Sequence, residues 1–306
     1  MLYNSKNPTL YSLKLYMHYI IINELHLKGK NIKKLDAVKS VFERAGIEYE
    51  ILLTTHRGHA TEYAKKITSS EGKHTLVAMG GDGTLHEILN GFENFEDNAL
   101  GLIPFGTGND FATAAGIPLD LRQAAEKIAF RAPTPIDFIQ LSSGLRSLNI
   151  VGMGIDVEVL ERTYAGRHHG KSKYFRSLIA TLFRYKGHSF TVEYDGKSEK
   201  HYGLIAALGN GTMFGGGIKI CPEAKIDDGY LDLIIVDYIS RIKLISALMK
   251  LMRGNVNKIK EATVARVKSA KFVMDKPDFT IQAEGELYKN VQIDAQIVTD
   301  KLKFYL

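Results

Sequence analysis

The stretch Val77–Phe92, VAMGGDGTLHEILNGF, constrains the fold of this chain more than any other. A short apolar run ends at three glycines in four positions, and apolar residues then recur at helical spacing, which predicts a strand, a turn and a helix. Thr84 and Glu87 have the spacing of a capping box for that helix. Glycines let the backbone approach a bulky anion, and amides of the turn and helix start then face phosphate oxygens. Asp82 is placed for a cation or a hydroxyl proton, although an ordinary strand-to-helix turn can also contain an aspartate.

Composition narrows the class of protein without choosing its ligand. The 306 residues are 45% hydrophobic and 24% charged, which suits one large or two medium globular domains. Cys221 is the single cysteine, so an internal disulfide is excluded and a reducing compartment is favoured. No apolar run approaches the ~18 residues of a membrane span, and we expect no signal peptide. The net charge of +6 suits an anionic partner such as a nucleotide, a membrane surface or a nucleic acid.

Strands and helices alternate through the first half of the chain. The first convincing strand is His18–Asn23, so we predict that residues 1–16 are an extension and that residues 17–131 form a doubly wound α/β domain. Ligands of such sheets bind at the carboxyl ends of the strands, where the glycine turn falls. The other predicted elements are the helices Lys33–Ala45 and Ala60–Ile67, the strands Ile47–Leu53 and Leu100–Pro104, a helix from about Asn109 and a helix from Asp120 to Phe130.

The pattern changes near Ala132 and becomes mainly strand-like. We predict that residues 132–306 form a mainly antiparallel β-sandwich domain, with a catalytic cleft between the two domains. Two predicted helices interrupt it, around Tyr174–Tyr185 and Arg241–Arg253. The predicted strands are Ile136–Leu141, Ser147–Val151, Ser189–Tyr194, Tyr202–Leu208, Leu231–Val236, Ala270–Met274, Phe279–Gln282 and Gln292–Ile297.

A second glycine turn, PFGTGNDFA, spans Pro104–Ala112 at the end of the next strand. Thr107 offers a hydroxyl, Asn109 an amide and Asp110 a carboxylate around one bend. An N-capped helix start, with Asn109 or Asp110 as the cap, is the simpler interpretation and is compatible with ligand binding. Its pairing with the GGDGT turn on a neighbouring strand favours the functional interpretation.

Together, GGDGTLHE and GTGNDFA resemble the diacylglycerol kinase catalytic-domain family, in particular its soluble bacterial lipid kinases. GGDGT alone is also found in NAD kinases and phosphofructokinases, whereas the motifs jointly are specific and cover about residues 18–300. The resemblance implies an ATP-binding domain of the NAD kinase or diacylglycerol kinase type, followed by a β-sandwich domain that supplies the catalytic carboxylate. The later matching motifs are GMGID at Gly152–Asp156, GNGTMFGGG at Gly209–Gly217, PEAKIDDGYLDL at Pro222–Leu233 and AEGE at Ala283–Glu286.

The resemblance also implies ligand contacts. It ties three aspartates to magnesium and to cleft geometry: Asp82, Asp110 and Asp137. It assigns a further magnesium site to Lys225, Asp228 and Tyr230, where the lysine and tyrosine would act through backbone oxygen or water, because an ammonium group cannot ligate a cation. The implied nucleotide contacts are Asn23, Thr54, Thr55, Gly80, Gly81, Asp82, Gly83, Thr84, Glu87, Thr107 and Asn109.

Two positions depart from the family pattern. The family often has Asn-Pro after its first strand, whereas this chain has Asn23 followed by Glu24. The family's DGE element reads Glu284-Gly285-Glu286 here, and the extra methylene of glutamate shifts a carboxylate by about an ångström, a displacement to which catalysis is sensitive. Phosphoryl transfer needs in-line positioning, charge neutralisation and a base. We predict Glu286 as the base and Glu284 as its positioning partner, with the reverse assignment and a solvated hairpin turn left open.

The segment Arg162–His188 contains seven Lys or Arg, interleaved aromatic and aliphatic residues and no acidic residue. A basic amphipathic segment is typical of a membrane-surface contact. A core-packed helix with solvated cations is the alternative, and nucleic acid is disfavoured because no recognised binding motif accompanies the charge. The pair His168-His169 lacks a third ligand at metal spacing, so we expect it at the surface.

We therefore predict a lipid kinase that uses ATP and Mg²⁺ to phosphorylate the hydroxyl of diacylglycerol or a similar lipid alcohol. It would be cytoplasmic and peripheral to the inner face of the membrane, with no nucleic acid partner and with a homodimer left open. An NAD kinase is the alternative enzyme, against which GTGNDFA and the later motifs stand. A non-catalytic nucleotide or lipid sensor is the alternative from another class, against which the retained Asp82, Asp110 and Glu286 argue. The lipid acceptor and the preference for ATP over GTP stay open.

Overall fold

The computed structural model describes residues 16–29, 31–165, 180–181, 184–275 and 278–306. The chain divides into two compact units, of which the first ends at Ile136 and also includes Asp300–Leu306, and the second is Asp137–Thr299. The last residues thus belong to the first unit, whereas the domain prediction grouped them with residues 132–299. Most of the predicted extension 1–16, most of the predicted helix Tyr174–Tyr185 and the pair His168-His169 lie outside the described residues. No helix in the described ranges has the length and apolar character needed to cross a membrane.

Four parallel strands in the order β4-β3-β1-β2 form the sheet of the first unit. Their registers bring the carboxyl ends together, since Asn23 pairs with Thr54 and Gly80 with Pro104. Strands β3 and β4 are buried along their whole length, which explains their largely apolar sequence. The strands are β1 (Met17–Asn23), β2 (Tyr49–Thr54), β3 (His74–Gly80) and β4 (Ala99–Pro104).

Helices connect these strands as the periodicity predicted. Helix α1 buries the apolar face foreseen from the sequence and ends where Gly46 takes a left-handed conformation, φ 65°. Helices α2 and α3 approach each other closely at Gly91, where a Cβ would overlap the carbonyl oxygen of Thr61. The helices are α1 (Asn31–Ala45), α2 (His59–Thr68), α3 (Asp82–Gly91), α4 (Asp110–Ala114) and α5 (Leu121–Phe130).

The second unit is a mainly antiparallel β structure, which confirms the predicted fold class. Antiparallel pairing joins β9 to β7, β8 and β10, β12 to β8 and β15, and β13 to β7 and β14. The strands are β5 (Thr134–Leu141), β6 (Arg146–Ser147), β7 (Ile150–Gly154), β8 (His188–Tyr194), β9 (Lys197–Gly209), β10 (Leu231–Asp237), β11 (Ala262–Val267), β12 (Ser269–Met274), β13 (Thr280–Ala283), β14 (Glu286–Lys289) and β15 (Asp294–Phe304).

Two hydrophobic cores lie on opposite faces of the central strands of this unit. Along β10, Leu231, Leu233 and Ile235 enter one core, while Ile234 and Val236 enter the other. The second of these cores is covered by two helices, α6 (Ile155–Ala165) and α7 (Arg241–Met252). Because β10 is buried on both faces, its sequence reads as an unbroken apolar run and not as an alternation.

Candidate active site

The two glycine turns lie against each other at the carboxyl edge of the parallel sheet. The amide of Phe105 donates to the carbonyl oxygen of Gly80 at 2.7 Å and so joins the end of β4 to the end of β3. A Cβ on Gly106 would overlap the Cα of Gly81, so the contact requires glycine. The sequence motifs therefore form one structure, in which a bare backbone surface adjoins the start of α3.

Asp82 joins the second turn to the first. It is the first residue of α3, and its carboxylate accepts the amides of Asp110 at 3.2 Å and Phe111 at 3.1 Å. These amides form the first turn of α4, where a negative charge is stabilised by the unsatisfied N–H groups and the helix dipole. Asp82 thus fixes the orientation of α4 relative to α3.

The carboxylates of Asp82 and Asp110 converge beside Gly108. A Cβ at that position would lie 3.0 Å from the Oδ2 of Asp82 and 3.8 Å from the Oδ2 of Asp110. Asp110 is buried, whereas Asp82 is half-buried. Two carboxylate oxygens that face one small space have the chemistry that a hard divalent cation requires.

Asn109 shapes the second turn through its side chain and its backbone. Its amide accepts from the N–H of Gly106 at 3.1 Å and donates to the carbonyl oxygen of the same residue at 3.0 Å. Its φ is 54°, in the left-handed region that asparagine tolerates better than most residues. The cap that the sequence suggested for Asn109 or Asp110 is supplied by Asp82 from a distant part of the chain. Thr107 is exposed at the tip of the turn.

The predicted capping box of Thr84 and Glu87 is wrong. Gly81 occupies the cap position of α3 and makes no side-chain cap bond. Glu87 instead accepts the amides of Gly58 at 2.9 Å and Ala60 at 3.2 Å, so its carboxylate caps α2. Thr84 folds over Gly80, where a Cβ would lie within 2.5 Å of the threonine Oγ1. A capping contact between residues 29 positions apart overrides the local pattern.

Two further predicted nucleotide contacts, Asn23 and Thr54, lie side by side at the ends of β1 and β2. The Oδ1 of Asn23 accepts a hydrogen bond from the amide of Leu25 at 2.9 Å and so caps a short 3-10 turn, Glu24–His26. This turn begins at Glu24, the position where the family often has proline. Thr54 is buried, with 6% of its surface exposed. The structure thus brings together on one edge the ends of all four strands that carry predicted contacts.

An aromatic stack follows β2 and was not foreseen from the sequence. The rings of His56 and His59 stack at 4.4 Å, and those of His59 and Tyr63 stack at 4.3 Å. The hydroxyl of Thr55, which is exposed, lies 3.2 Å from His56 Nδ1 and 3.3 Å from His59 Nδ1. Each of these residues is at most four positions from the next along the chain. This spacing could have indicated a stacked cluster at the start of a helix.

In the second unit, the two glutamates of the AEGE element have different environments. Glu284 and Gly285 form the two-residue turn between β13 and β14, with φ 52° and 80°. Such turns favour Asn-Gly or Asp-Gly, so glutamate is unusual here. Glu284 accepts the Ser147 hydroxyl at 2.5 Å and the Asn149 amide at 2.6 Å, and these bonds hold the turn in place. Glu286 is the first residue of β14 and is half-buried.

The later acidic motif is tied into a network of its own. The Oδ2 of Asp137, which is buried, accepts the amide of Gly229 at 2.7 Å and holds the DDG loop to β5. Asp228 accepts the amide of Tyr230 at 3.1 Å and forms an ion pair with Arg266. The Arg266 guanidinium lies 4.6 Å from the centre of the Tyr230 ring.

These environments differ in how well they suit Mg²⁺. Asp82 and Asp110 suit a nucleotide-bound Mg²⁺, which keeps waters and phosphate oxygens as most of its ligands. At Asp228, the Arg266 guanidinium already neutralises the carboxylate, and Lys225 is exposed. Across the described part of the chain, no group of three or more His, Cys, Asp or Glu is arranged to hold a metal ion. The magnesium sites therefore stay predictions.

The second unit also contains a small apolar cavity beneath α7. Its walls include Leu244, Leu248 and Leu251 of the helix and Ile205 of β9. Asp156, at the start of α6, is a buried carboxyl group in this lining, and burial raises its pKa to about 6. Asp156 belongs to the GMGID motif, for which the sequence indicated no role.

A parallel sheet of the nucleotide-binding type with two interlocked glycine turns, followed along the chain by a β-sandwich, is the architecture of the diacylglycerol kinase class. The model of the Diacylglycerol kinase catalytic domain family matches residues 18–141. The model of the YegS C-terminal NAD kinase beta sandwich-like domain matches residues 149–305. The chain belongs to the diacylglycerol kinase family, as its motifs indicated, and is a phosphotransferase that acts on an alcohol group.

Individual relatives agree with this family. A protein of Xanthomonas oryzae pv. oryzae (strain MAFF 311018) named "Probable lipid kinase YegS-like" is 32% identical over 298 residues, covering 92% of this chain and 95% of the relative. The "Diacylglycerol kinase" of Bacillus subtilis (strain 168) is 32% identical over 229 residues, covering 72% and 74%. A crystal structure of a diacylglycerol kinase from Bacillus anthracis str. Sterne shares the fold, with a TM-score of 0.72 at 20% identity over 95% of this chain and 96% of that one.

Proposed function

We propose that this protein is an ATP- and Mg²⁺-dependent lipid kinase that transfers the γ-phosphate to the hydroxyl of diacylglycerol or a similar lipid alcohol, in the cytoplasm at the inner face of the membrane. The observation that carries the proposal is the interlocked pair of glycine turns, fastened by the bonds from Asp82 to the start of α4. The acceptor class is supported by the names of the relatives, one a diacylglycerol kinase and another a lipid kinase.

Nucleotide binding would use the backbone at the start of α3. The amides of Gly83 and Thr84 lie in the first helical turn, where they have no partner within the helix, and they would donate to phosphate oxygens. Gly80 and Gly81 leave the approach open because they carry no side chain. Asp82 and Asp110 would hold Mg²⁺, which when bound offsets negative charge on the transferring phosphoryl group.

The acceptor hydroxyl needs a base in the second unit. Its oxygen forms the new bond to the γ-phosphorus, the bond from phosphorus to the bridging oxygen of ADP breaks, and the hydroxyl proton would pass to Glu286. Glu284 is the less suited base, because the Ser147 hydroxyl and the Asn149 amide both donate to its Oε1 and hold it in the turn. It would act as the anchor that positions Glu286.

A transfer assay over a panel of acceptors tests the proposal. Purified protein would be given [γ-³²P]ATP with diacylglycerol, other lipid alcohols in mixed micelles, or NAD⁺. We expect label in a lipid product, and loss of that label when EDTA removes divalent cations. Label on NAD⁺ alone would favour the NAD kinase alternative, and nucleotide binding without transfer to any lipid would favour a sensor.

A further inference from the structure

Helix α7 is apolar on two separate faces. Its inner face packs into the core of the second unit through Leu244 and Leu248. On its outer side, Ile245, Met249 and Met252 are exposed by 50%, 46% and 41%. Their spacing of i, i+4 and i+7 places them in one line along the helix. A continuous line of large, exposed apolar side chains is typical of a surface that binds another molecule or a membrane.

The chain around this line is basic and has no acidic residue from Tyr238 to Lys260. Lys243 forms an ion pair with Glu261 at 3.0 Å, just beyond the end of that segment. Arg253 and Lys260 are exposed. The cations of the segment are Arg241, Lys243, Lys250, Arg253, Lys258 and Lys260. Exposed apolar residues on a stretch of chain whose only charges are positive suit an anionic partner with an apolar interior.

Two exposed tyrosines lie at the amino-terminal end of the helix. Tyr238 lies two residues before Ser240, the N-cap of the helix. The centre of its ring is 5.5 Å from that of Tyr202 on β9. Tyrosines 202 and 238 are exposed by 48% and 38%. Tyrosine is enriched where one end of a side chain is apolar and the other is hydrated, as at the surface of a bilayer.

We propose that α7 docks this protein on an anionic lipid bilayer, with the helix lying in the plane of the interface. The docking surface consists of Tyr202, Tyr238, Ile245, Met249 and Met252, and the exposed Arg253 follows directly on Met252. The net charge of +6 and the stretch Tyr238–Lys260, which has no acidic residue, favour an anionic bilayer over a second copy of the chain, because two positively charged copies repel each other.

The proposal deepens the proposed function, because a lipid kinase must reach an acceptor that resides in a membrane. It is also distinct from the prediction for the basic segment Arg162–His188, since it rests on other residues. The inner face of the same helix lines the apolar cavity of the second unit. A docked α7 would therefore stand between the bilayer and that cavity.

A single introduced tryptophan tests the docking directly. The chain contains no tryptophan, so Met249→Trp would give the only indole signal of the full chain. With vesicles of 70% phosphatidylcholine and 30% phosphatidylglycerol, we expect its emission to shift to the blue at low salt and to shift back at 1 M salt, because the Debye length falls to ~3 Å. Leu119→Trp, at an exposed leucine of the first unit, is the matched control and should not shift. An unshifted Met249→Trp spectrum would overturn the proposal.

Vesicle sedimentation supplies the second readout. The double variant Ile245→Ser with Met249→Ser should lower the partition coefficient on these vesicles about tenfold or more, whereas Leu119→Ser should leave it unchanged. Equal binding of the double variant and the parent protein would refute docking by α7. If ultracentrifugation shows a dimer that the same double variant dissociates, a second copy is the partner and the proposal is wrong.

Kinase turnover on a short-chain, water-soluble diacylglycerol separates this proposal from the proposed function. The serine variants should keep that turnover while losing vesicle binding. Absence of turnover in the parent protein, with vesicle binding intact, would count against the proposed function alone.

Discussion

Replacing Asp82 with asparagine tests both structural and chemical parts of the proposed site. The carboxylate holds the amides of Asp110 and Phe111, and asparagine keeps only one accepting oxygen and turns an NH₂ group toward the other amide. Losing one such bond and the charge at a helix start costs about 1–2 kcal/mol. At about 2–4 °C per kcal/mol for a chain of this size, the melting temperature falls by a few degrees and the protein stays folded.

The expected loss of activity is much larger than this loss of stability. Without the carboxylate, the phosphate-facing turn loses a fixed negative group and a proposed Mg²⁺ ligand, so turnover should fall on the order of 10²-fold or more. Steady-state transfer from [γ-³²P]ATP would be measured beside a thermal melt followed by circular dichroism.

Asp120→Asn is the matched control for this experiment. Asp120 caps α5 by accepting the amide of Gln123 at 2.9 Å and is exposed, so it shares the capping chemistry of Asp82 without its place at the turns. We expect a similar or smaller fall in melting temperature with full turnover. Near-normal turnover in folded Asp82→Asn, or an equal loss in Asp120→Asn, would refute the assignment.

Three other predictions concern the second unit. Glu286→Gln should abolish phosphoryl transfer in a single-turnover assay and leave ATP affinity unchanged, while Glu284→Asp should stay active. An inactive Glu284→Gln together with a normally active Glu286→Gln would reverse the two roles. Because burial raises the pKa of Asp156 to about 6, the folded state loses stability as pH rises from about 4 through 6, and Asp156→Asn should abolish up to about 2–3 kcal/mol of this dependence in urea unfolding. Replacing Lys171, Lys173 and Arg176 of the basic segment with glutamate should weaken binding to anionic vesicles and leave ATP binding unchanged. Vesicle binding that does not depend on salt would contradict this prediction.

The parallel sheet of the first unit could be predicted because its signals are local. The apolar runs of β1, β3 and β4 and the buried face of α1 follow from periodicity alone. The bonds that complete the site are not local, since Asp82 and Glu87 each cap a helix 27 to 29 residues away. A capping box inferred from spacing cannot compete with such a contact, because the sequence does not show which helix start will come within reach.

The second unit was harder to predict in detail. Strands β11 and β14 and helix α6 were not predicted; β14 has only four residues, and β11 alternates only weakly. Glu284 binds Ser147 and Asn149 across more than 130 residues, and no pattern along the chain indicates such a pairing. The exposed line on α7 could be predicted from the sequence, because Ile245, Met249 and Met252 have the i, i+4, i+7 spacing of one helix face.

The measurement that tests the central claim most directly is phosphoryl transfer to a lipid whose hydroxyl is either free or blocked. Purified protein would be given [γ-³²P]ATP with 1,2-diacylglycerol, or with the same lipid carrying a methyl ether at its hydroxyl, in identical micelles. The proposed function predicts label in the extracted lipid only when the hydroxyl is free, and only background label with Asp82→Asn. Equal labelling of the blocked lipid, or no lipid labelling by a protein that binds ATP, would contradict it.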